Sequence, residues 1–189
     1  MAVLGIRIVG DPVLRTPAEE VTEFGPGLAR LVGDMLETMD DVDGAGLAAP
    51  QIGVALRVFT YRIGEERGYV VNPVLEVSDE LQEPGGEGCL SVPGLGYTTP
   101  RRRWARVTGV DVDGAPVVVE GEGLLARCLQ HETDHLDGRL YIDRLTGGDK
   151  KDALRRIRTS GFNGVAAATV AERARSLGSS FGPGSGTTA

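Results

Sequence analysis

The chain has 189 residues, enough for one domain with a substantial core but short for two. Its formal net charge of −7 argues against binding to the phosphate backbone of DNA. The first residues contain no basic leader, and no later stretch stays apolar over the length of a bilayer. We therefore expect a cytoplasmic protein that binds neither DNA nor a membrane, with its two cysteines free or metal-bound rather than joined in a disulfide.

Hydrophobic spacing predicts a helix near the N-terminus, and a glycine-rich stretch follows it. In residues 28–39 apolar side chains recur every three or four positions, which is typical of an amphipathic helix. Residues 44–53 are mostly small, so they either admit a ligand close to the backbone or form a tight turn. Gln51 is the side chain in this stretch that could donate hydrogen bonds to a site.

Two pairs of strands are predicted in the middle of the chain. Residues 56–61 and 69–77 are rich in β-branched and aromatic residues and are separated by glycines, which indicates a hairpin. The Asn72-Pro73 pair either places the second strand at a sheet edge or bends it. Residues 104–112 and 116–120 predict a second hairpin, because an Asp-Gly pair lies between them.

The C-terminal third is predicted to be helical. Residues 124–136 form an apolar helix, and residues 149–158 form a basic one. Further on the composition shifts to alanine, glycine and serine, which predicts a weak helix over residues 166–177 and disorder over the last dozen residues. This organisation gives a single catalytic domain at residues 1–160 and a C-terminal extension at residues 161–189, in which no site residue is predicted.

Both histidines of the chain lie in the pattern HExxH, within the apolar helix. Positions four apart lie on one face of a helix, so His131 and His135 can direct two imidazoles at one metal ion. Glu132 then lies beside that metal as a candidate general base for a water molecule. Because HExxH also occurs by chance on amphipathic helices, the interpretation depends on finding a third ligand.

The third ligand is predicted to be Cys89. A metzincin-type histidine is excluded, since Tyr141 occupies its position, and a thermolysin-type glutamate could come only from Glu172, in a weakly patterned segment. Cys128 lies roughly 10 Å from His135 along the helix axis, too far to share its metal. Cys89 is in a stretch rich in glycine and proline, which predicts a loop or short strand end that can fold over the helix.

Two other functions use similar residues. A zinc peptidase would employ the same HExxH to hydrolyse internal amide bonds. A non-catalytic module would hold a structural metal, but it needs four protein ligands, and the chain offers a convincing set of only three.

Three stretches of the chain together resemble the peptide deformylase family. The family pattern GxGLAAxQxG is matched by residues 44–53, EGCLS by residues 87–91 and QHExDHLxG by residues 130–138, with every fixed position met and in the family's order. The resemblance extends over about residues 4–158. Three motifs in order are far more specific than one.

The resemblance implies an α+β fold in which antiparallel strands surround a central helix bearing HExxH, with a further helix near the C-terminus. It implies removal of the formyl group from the N-terminal formyl-methionine of nascent polypeptides, with release of formate. Glu132 would transfer the proton, and Gln51 and the backbone amide of Leu90 would stabilise the oxyanion. The metal ligands would be Cys89, His131 and His135. The residues predicted to bind substrate are Gly44, Gly46, Glu87 and Gly88.

The resemblance also indicates cofactors and partners. The family's metal is typically Fe²⁺, with Zn²⁺, Ni²⁺ or Co²⁺ able to replace it. The partners would be nascent formyl-methionyl polypeptides and, through the basic residues from Lys150 to Arg158, the ribosome. A solvated helix face is the alternative interpretation of those basic residues.

Overall fold

The structure is a computed structural model that describes residues 2–179, without the side chains of residue 160 and residues 175–179. This part of the chain has the predicted α+β architecture. Its α-helices are α1 (Pro26–Asp41), α2 (Gly123–Leu136), α3 (Gly147–Ile157) and α4 (Ser160–Ser179). Its β-strands are β1 (Gly46–Ala48), β2 (Val58–Ile63), β3 (Glu66–Val77), β4 (Gly85–Gly88), β5 (Gly96–Thr99), β6 (Trp104–Val110) and β7 (Pro116–Glu122).

The strands form two antiparallel sheets. The larger sheet has the order β1-β2-β3-β6-β7, and β4 pairs separately with β5. Both predicted hairpins are confirmed, as β2 with β3 and β6 with β7. The sequence did not predict β1 or the β4–β5 pair, because these strands are short and rich in glycine, which weakens any strand signal.

Alternating side chains of β2 and β3 bury the larger sheet on both faces. Phe59 pairs with Val70, and both pack in a cluster with residues of α2. Val58 pairs with Val71, and both pack in a second cluster with Met35 of α1. Since successive residues of a strand point to opposite faces, α1 and α2 cover opposite sides of the sheet. The site-bearing helix α2 is therefore packed on the face of the sheet opposite α1.

β3 is bent, and it does not lie at an edge. It runs between β2 and β6, and its register with β6 shifts between Val71 and Val74. Within this shift Asn72 has a φ of 50°, and its side-chain amide bonds both the N–H and the carbonyl of Val21, at 2.8 and 2.9 Å. Of the two outcomes predicted from the Asn72-Pro73 pair, the bend is right and the edge position is wrong.

A third apolar cluster joins the C-terminal helices to the loop after β4. It contains Val92 and Leu95 from that loop, Ala153 from α3 and Phe162 from α4. The segment after residue 160 is therefore packed against the rest of the chain at its beginning. The division into a domain and an extension at residue 160 stays a prediction.

α4 is longer than the weak helix predicted for residues 166–177. Disorder is predicted for the last dozen residues, and those beyond residue 179 lie outside the described residues. None of the helices in the described part of the chain is both long and apolar enough to span a membrane.

Candidate active site

α2 presents both histidines from a fixed position. The chain leaves the helix at Gly138, whose φ of 71° favours glycine, and a Cβ there would lie 2.9 Å from the backbone of Arg15. The rings of His131 and His135 lie one helical turn apart, with centroids separated by 5.0 Å. Their side chains are largely buried, so both imidazoles project into a protected space rather than into solvent.

Cys89 reaches the same space from the end of β4. Its sulfur lies 3.3 Å from Nε2 of His135, and one ligand atom each of Cys89, His131 and His135 all lie within 4.8 Å of one another. A thiolate and two imidazoles are donors that suit Fe²⁺ and Zn²⁺. The three predicted ligands are thus brought together as a donor set that fits one divalent ion.

Cys128 belongs to the core instead. Its thiol donates a hydrogen bond to the carbonyl of Ala45 at 3.3 Å. Burial raises the pKa of Cys128 well above its usual value, so the sulfur stays protonated and is a poor metal ligand. Neither cysteine is joined in a disulfide, in agreement with the prediction.

The two imidazoles differ in their protonation. Burial lowers the pKa of His135 well below its usual value, which leaves the neutral ring that metal binding requires. Burial acts in the same direction on His131, but hydrogen bonds with Cys89 and Glu87 raise its pKa above the usual value. A metal that binds His131 would therefore displace a proton.

Glu87 contacts the imidazole ring of His131 and is itself bonded to two arginines. Its Oε2 lies 3.0 Å from Nδ1 of His131, and its two oxygens accept hydrogen bonds from Arg101 at 2.7 and 2.9 Å and from Arg127 at 2.9 Å. Burial alone would raise the pKa of Glu87, but the hydrogen bonds from Arg101 and His131 lower it to about 2. Because both carboxylate oxygens are already bonded, the substrate-binding role of Glu87 stays a prediction.

A second buried carboxylate extends this network. Asp134 is 3% exposed, accepts a hydrogen bond from Arg101 at 2.6 Å and pairs with Arg144. Arg101 therefore bridges Glu87 and Asp134 inside the protein. The motifs alone assign no role to Arg101, Arg127 or Arg144, because a sequence does not show which arginines become buried.

Glu132 lies against the glycine-rich strand β1. A Cβ on Gly46 would lie 2.7 Å from Cδ of Glu132, so only a glycine leaves room for this carboxylate. Burial raises the pKa of Glu132 to about 7. Its Oε2 is buried and has no hydrogen-bond partner among the described residues. A carboxylate in this state is poised to accept a proton near neutral pH.

Gln51 is buried and held in one orientation. Its Oε1 accepts a hydrogen bond from the N–H of Ala48 at 2.8 Å, which turns Nε2 toward Ser91 Oγ at 3.2 Å and Cys89 Sγ at 3.8 Å. Leu90, whose backbone amide is predicted to act with Gln51, is the next residue after Cys89. The structure thus brings both predicted oxyanion donors to the loop that carries the thiol.

A cavity of about 560 Å³ opens onto these residues, within the range of small-ligand sites. It is lined by every predicted site residue except His135. The predicted substrate-binding residues in its lining are Gly44, Gly46, Glu87 and Gly88. The cavity is also lined by Thr169 and Arg173 of α4, which the sequence patterns did not indicate.

An α+β fold with HExxH on a buried helix and a loop thiol beside both histidines defines a metal-dependent hydrolase. Comparison with known proteins gives the family. The model of the polypeptide deformylase family matches residues 3–151. The chain belongs to the polypeptide deformylase family, whose enzymes remove the N-formyl group from nascent polypeptides, and it is an enzyme of this activity.

Individual relatives agree with the family match. The chain is 56% identical to the peptide deformylase of Acidothermus cellulolyticus over 164 residues, covering 87% of this chain and 91% of the relative. It is 52% identical to that of Mycobacterium sp. (strain JLS) over 179 residues, covering 86% and 91%. The crystal structure of peptide deformylase from Thermus thermophilus superposes with a TM-score of 0.77 at 41% identity, covering 93% of this chain and 99% of that one.

Proposed function

We propose that Cys89, His131 and His135 hold the single divalent metal with which this enzyme hydrolyses formyl-methionyl peptides. The observation that carries the proposal is the convergence of their ligand atoms within 4.8 Å in a buried site. When bound, the ion would supply a Lewis acid that polarises the formyl carbonyl and acidifies a water molecule. Fe²⁺ is the proposed metal in the cell, with Zn²⁺, Ni²⁺ or Co²⁺ able to replace it, since all accept this donor set.

Glu132 is proposed as the general base and acid. Its raised pKa of about 7 and its unpartnered Oε2 favour taking a proton from the attacking water and returning it to the departing amine. The Nε2 of Gln51 and the backbone N–H of Leu90 would donate hydrogen bonds to the oxygen on which negative charge develops. Gly44 and Gly88 would let the peptide backbone approach the cavity walls closely, because neither carries a side chain.

Glu87 is proposed to orient His131 rather than to contact the peptide. A hydrogen-bonded carboxylate behind a metal-binding histidine fixes the ring and its tautomer. Arg101 and Arg127 hold that carboxylate in place. A cytoplasmic location is proposed as well, because nascent chains and reduced thiols are both found there.

Substitution of Glu132 tests the proton-transfer role. Glu132→Gln should lower formate release by about 10²- to 10⁴-fold, because general acid–base catalysis contributes this much. Elemental analysis should find the same metal content as in the parent enzyme. Glu65→Gln, at an exposed carboxylate in the turn between β2 and β3, is the matched control and should stay fully active. An active Glu132→Gln enzyme would remove the assignment.

Substitution of the two cysteines tests the ligand set. Cys89→Ser should retain less metal after dialysis than the parent, because a hydroxyl replaces the thiolate. Cys128→Ser should retain as much as the parent. Equal retention by both variants would contradict the assignment of Cys89. Anaerobic purification followed by elemental analysis and a formate-release assay identifies the metal of the active enzyme.

We also propose that the basic face of α3 docks on the ribosome. Lys151, Arg155 and Arg156 of α3 and Arg158 directly after it are exposed, and together they form a local cation cluster in an acidic protein. Ala153 of the same helix is fully buried, so the helix is fixed while its cations face outward. Such a cluster suits the phosphates of ribosomal RNA.

Charge reversal is the appropriate test, since removing α3 would also remove the buried Ala153. Lys151→Glu with Arg158→Glu should lower the fraction of enzyme that sediments with ribosomes, without changing formate release from a short peptide. The same reversal at the exposed Arg102 and Arg103 is the control. Equal sedimentation of the two double variants would refute docking through α3.

A further inference from the structure

One face of α4 packs against the loop after Cys89 and then borders the active-site cavity. Phe162 is buried in the cluster with the loop after Cys89, and Cγ1 of Val165 would lie 3.0 Å from a Cβ on Gly94. Thr169 and Arg173 line the cavity itself. These residues of α4 follow one another at intervals of three and four, so they lie on one side of the helix. The packing at the start of α4 thus directs its later turns to the cavity.

Arg173 reaches the loop that carries Cys89. Its Nη1 donates a hydrogen bond to the carbonyl of Leu90 at 3.2 Å. Its side chain is half-buried, and this burial lowers the pKa of Arg173. A guanidinium has five N–H donors, and the bond to Leu90 uses one of them. Arg173 therefore lines the cavity with more N–H donors than the one that bonds Leu90.

The charge of Arg173 is not balanced by an ion pair within the described residues 2–179, where no carboxylate oxygen is found within 4.0 Å of it. Asp43, an acidic residue of the cavity lining, is 95% exposed and pairs with Arg62 at 2.5 Å. Glu87 is bonded to other arginines. Because the Arg173 guanidinium is partly desolvated, an ion pair with a carboxylate on a bound ligand would stabilise it.

We propose that Arg173 binds a carboxylate of the peptide substrate beyond its formyl-methionine, and so favours peptides that carry one there. The inference rests on the proposed site, because a peptide whose formyl group lies near Cys89 and Glu132 would occupy the cavity that Arg173 also lines. Within this cavity Glu132 is buried, whereas Arg173 is half-exposed. A planar guanidinium matches a carboxylate with two parallel hydrogen bonds.

Matched peptides distinguish the two sources of such a carboxylate. Formyl-Met-Glu-Ser-amide and formyl-Met-Ala-Glu-amide are compared with their glutamine counterparts, which tests an acidic side chain at the second or third residue. Formyl-Met-Ala-Ser as free acid and as amide tests the C-terminal carboxylate. We expect kcat/KM for formate release from at least one carboxylate peptide to exceed that of its neutral counterpart by about threefold to tenfold, less than for a fully buried charged bond. The preference should shrink at high salt.

Substitution assigns the preference to a residue. Arg173→Gln should bring the acidic-to-neutral ratio close to one, and Arg173→Lys should retain part of it, because a point charge replaces the bidentate fork. Arg30→Gln removes the same charge from an exposed position on α1 and should keep the parent ratio. Thermal unfolding of each variant checks that α4 remains packed.

Each other outcome overturns the proposal. A parent ratio of one for every pair, with the neutral peptides still hydrolysed, leaves the proposed site intact and refutes binding by Arg173. If the preference for the carboxylate peptide persists in Arg173→Gln, another residue is responsible for it. If Arg173→Gln raised activity toward all peptides equally, the hydrogen bond from Arg173 to Leu90 would restrict access to the cavity, and Arg173 would not be a substrate-binding residue.

Discussion

Replacing Glu87 with glutamine tests whether the buried charge network supports the site. The carboxylate accepts hydrogen bonds from Arg101 and Arg127 and lies 3.0 Å from His131 Nδ1. Removing one partner of a buried ion pair costs about 3–5 kcal/mol, because it leaves an uncompensated charge. The amide keeps one acceptor, so the lower part of this range is expected. In a chain of this size each kcal/mol shifts Tm by about 2–4 °C, which gives a fall of about 6–15 °C.

The metal should be affected along with stability. Loss of the hydrogen-bonded partner behind a metal-binding histidine typically weakens metal affinity by about 10- to 100-fold. Calorimetry of the metal-loaded enzyme measures Tm, and competition with a chromogenic chelator measures affinity. Glu83→Gln makes the same chemical change at an exposed carboxylate nearby and should change stability by less than about 0.5 kcal/mol. If Glu87→Gln matched that control in both measurements, the network would not support the site.

Two glycine substitutions test how tightly the site is enclosed. Gly46→Ala would displace Glu132 and should lower kcat about 100-fold. Gly86→Ala is the control and should leave kcat unchanged, because a Cβ at Gly86 has no atom within 4 Å. Similar kcat values for the two variants would refute the close contact between Gly46 and Glu132. Gly138→Ala and Gly114→Ala both place alanine at positive φ, at a cost of about 1–2 kcal/mol each. Only the former also meets backbone atoms at 2.9 Å, so urea unfolding should show a larger loss for Gly138→Ala, and equal losses would contradict this contact.

Local patterns in the sequence predict the elements that position the site. The apolar spacing of α1 and α2 and the β-branched runs of β2, β3, β6 and β7 are strong because each element buries a continuous face. The convergence of Cys89 with His131 and His135 followed from counting the residues able to serve as ligands. The structure brings these three side chains together, and their roles in metal binding and catalysis are what the substitutions test.

Contacts between residues far apart in the chain could not be predicted from the sequence. Arg101 is one of three successive arginines, of which two are exposed and one is 3% exposed between Glu87 and Asp134. The neighbouring sequence does not show which of the three arginines is buried, because the burial of Arg101 depends on how β4 and α2 come together in the fold. Arg173 was missed for a related reason. The apolar face of α4 consists of few, small side chains, and its spacing becomes informative only once Phe162 is known to be anchored.

The position of α4 has a consequence for the design of selective inhibitors. The family model matches residues 3–151, whereas Thr169 and Arg173 in the cavity wall lie beyond that region. A compound that only chelates the metal would contact residues within the matched region alone. A compound with a metal-binding head and an acidic tail long enough to reach Arg173 would contact both regions. Its potency against this enzyme would then depend on the tail as well as on the chelating head.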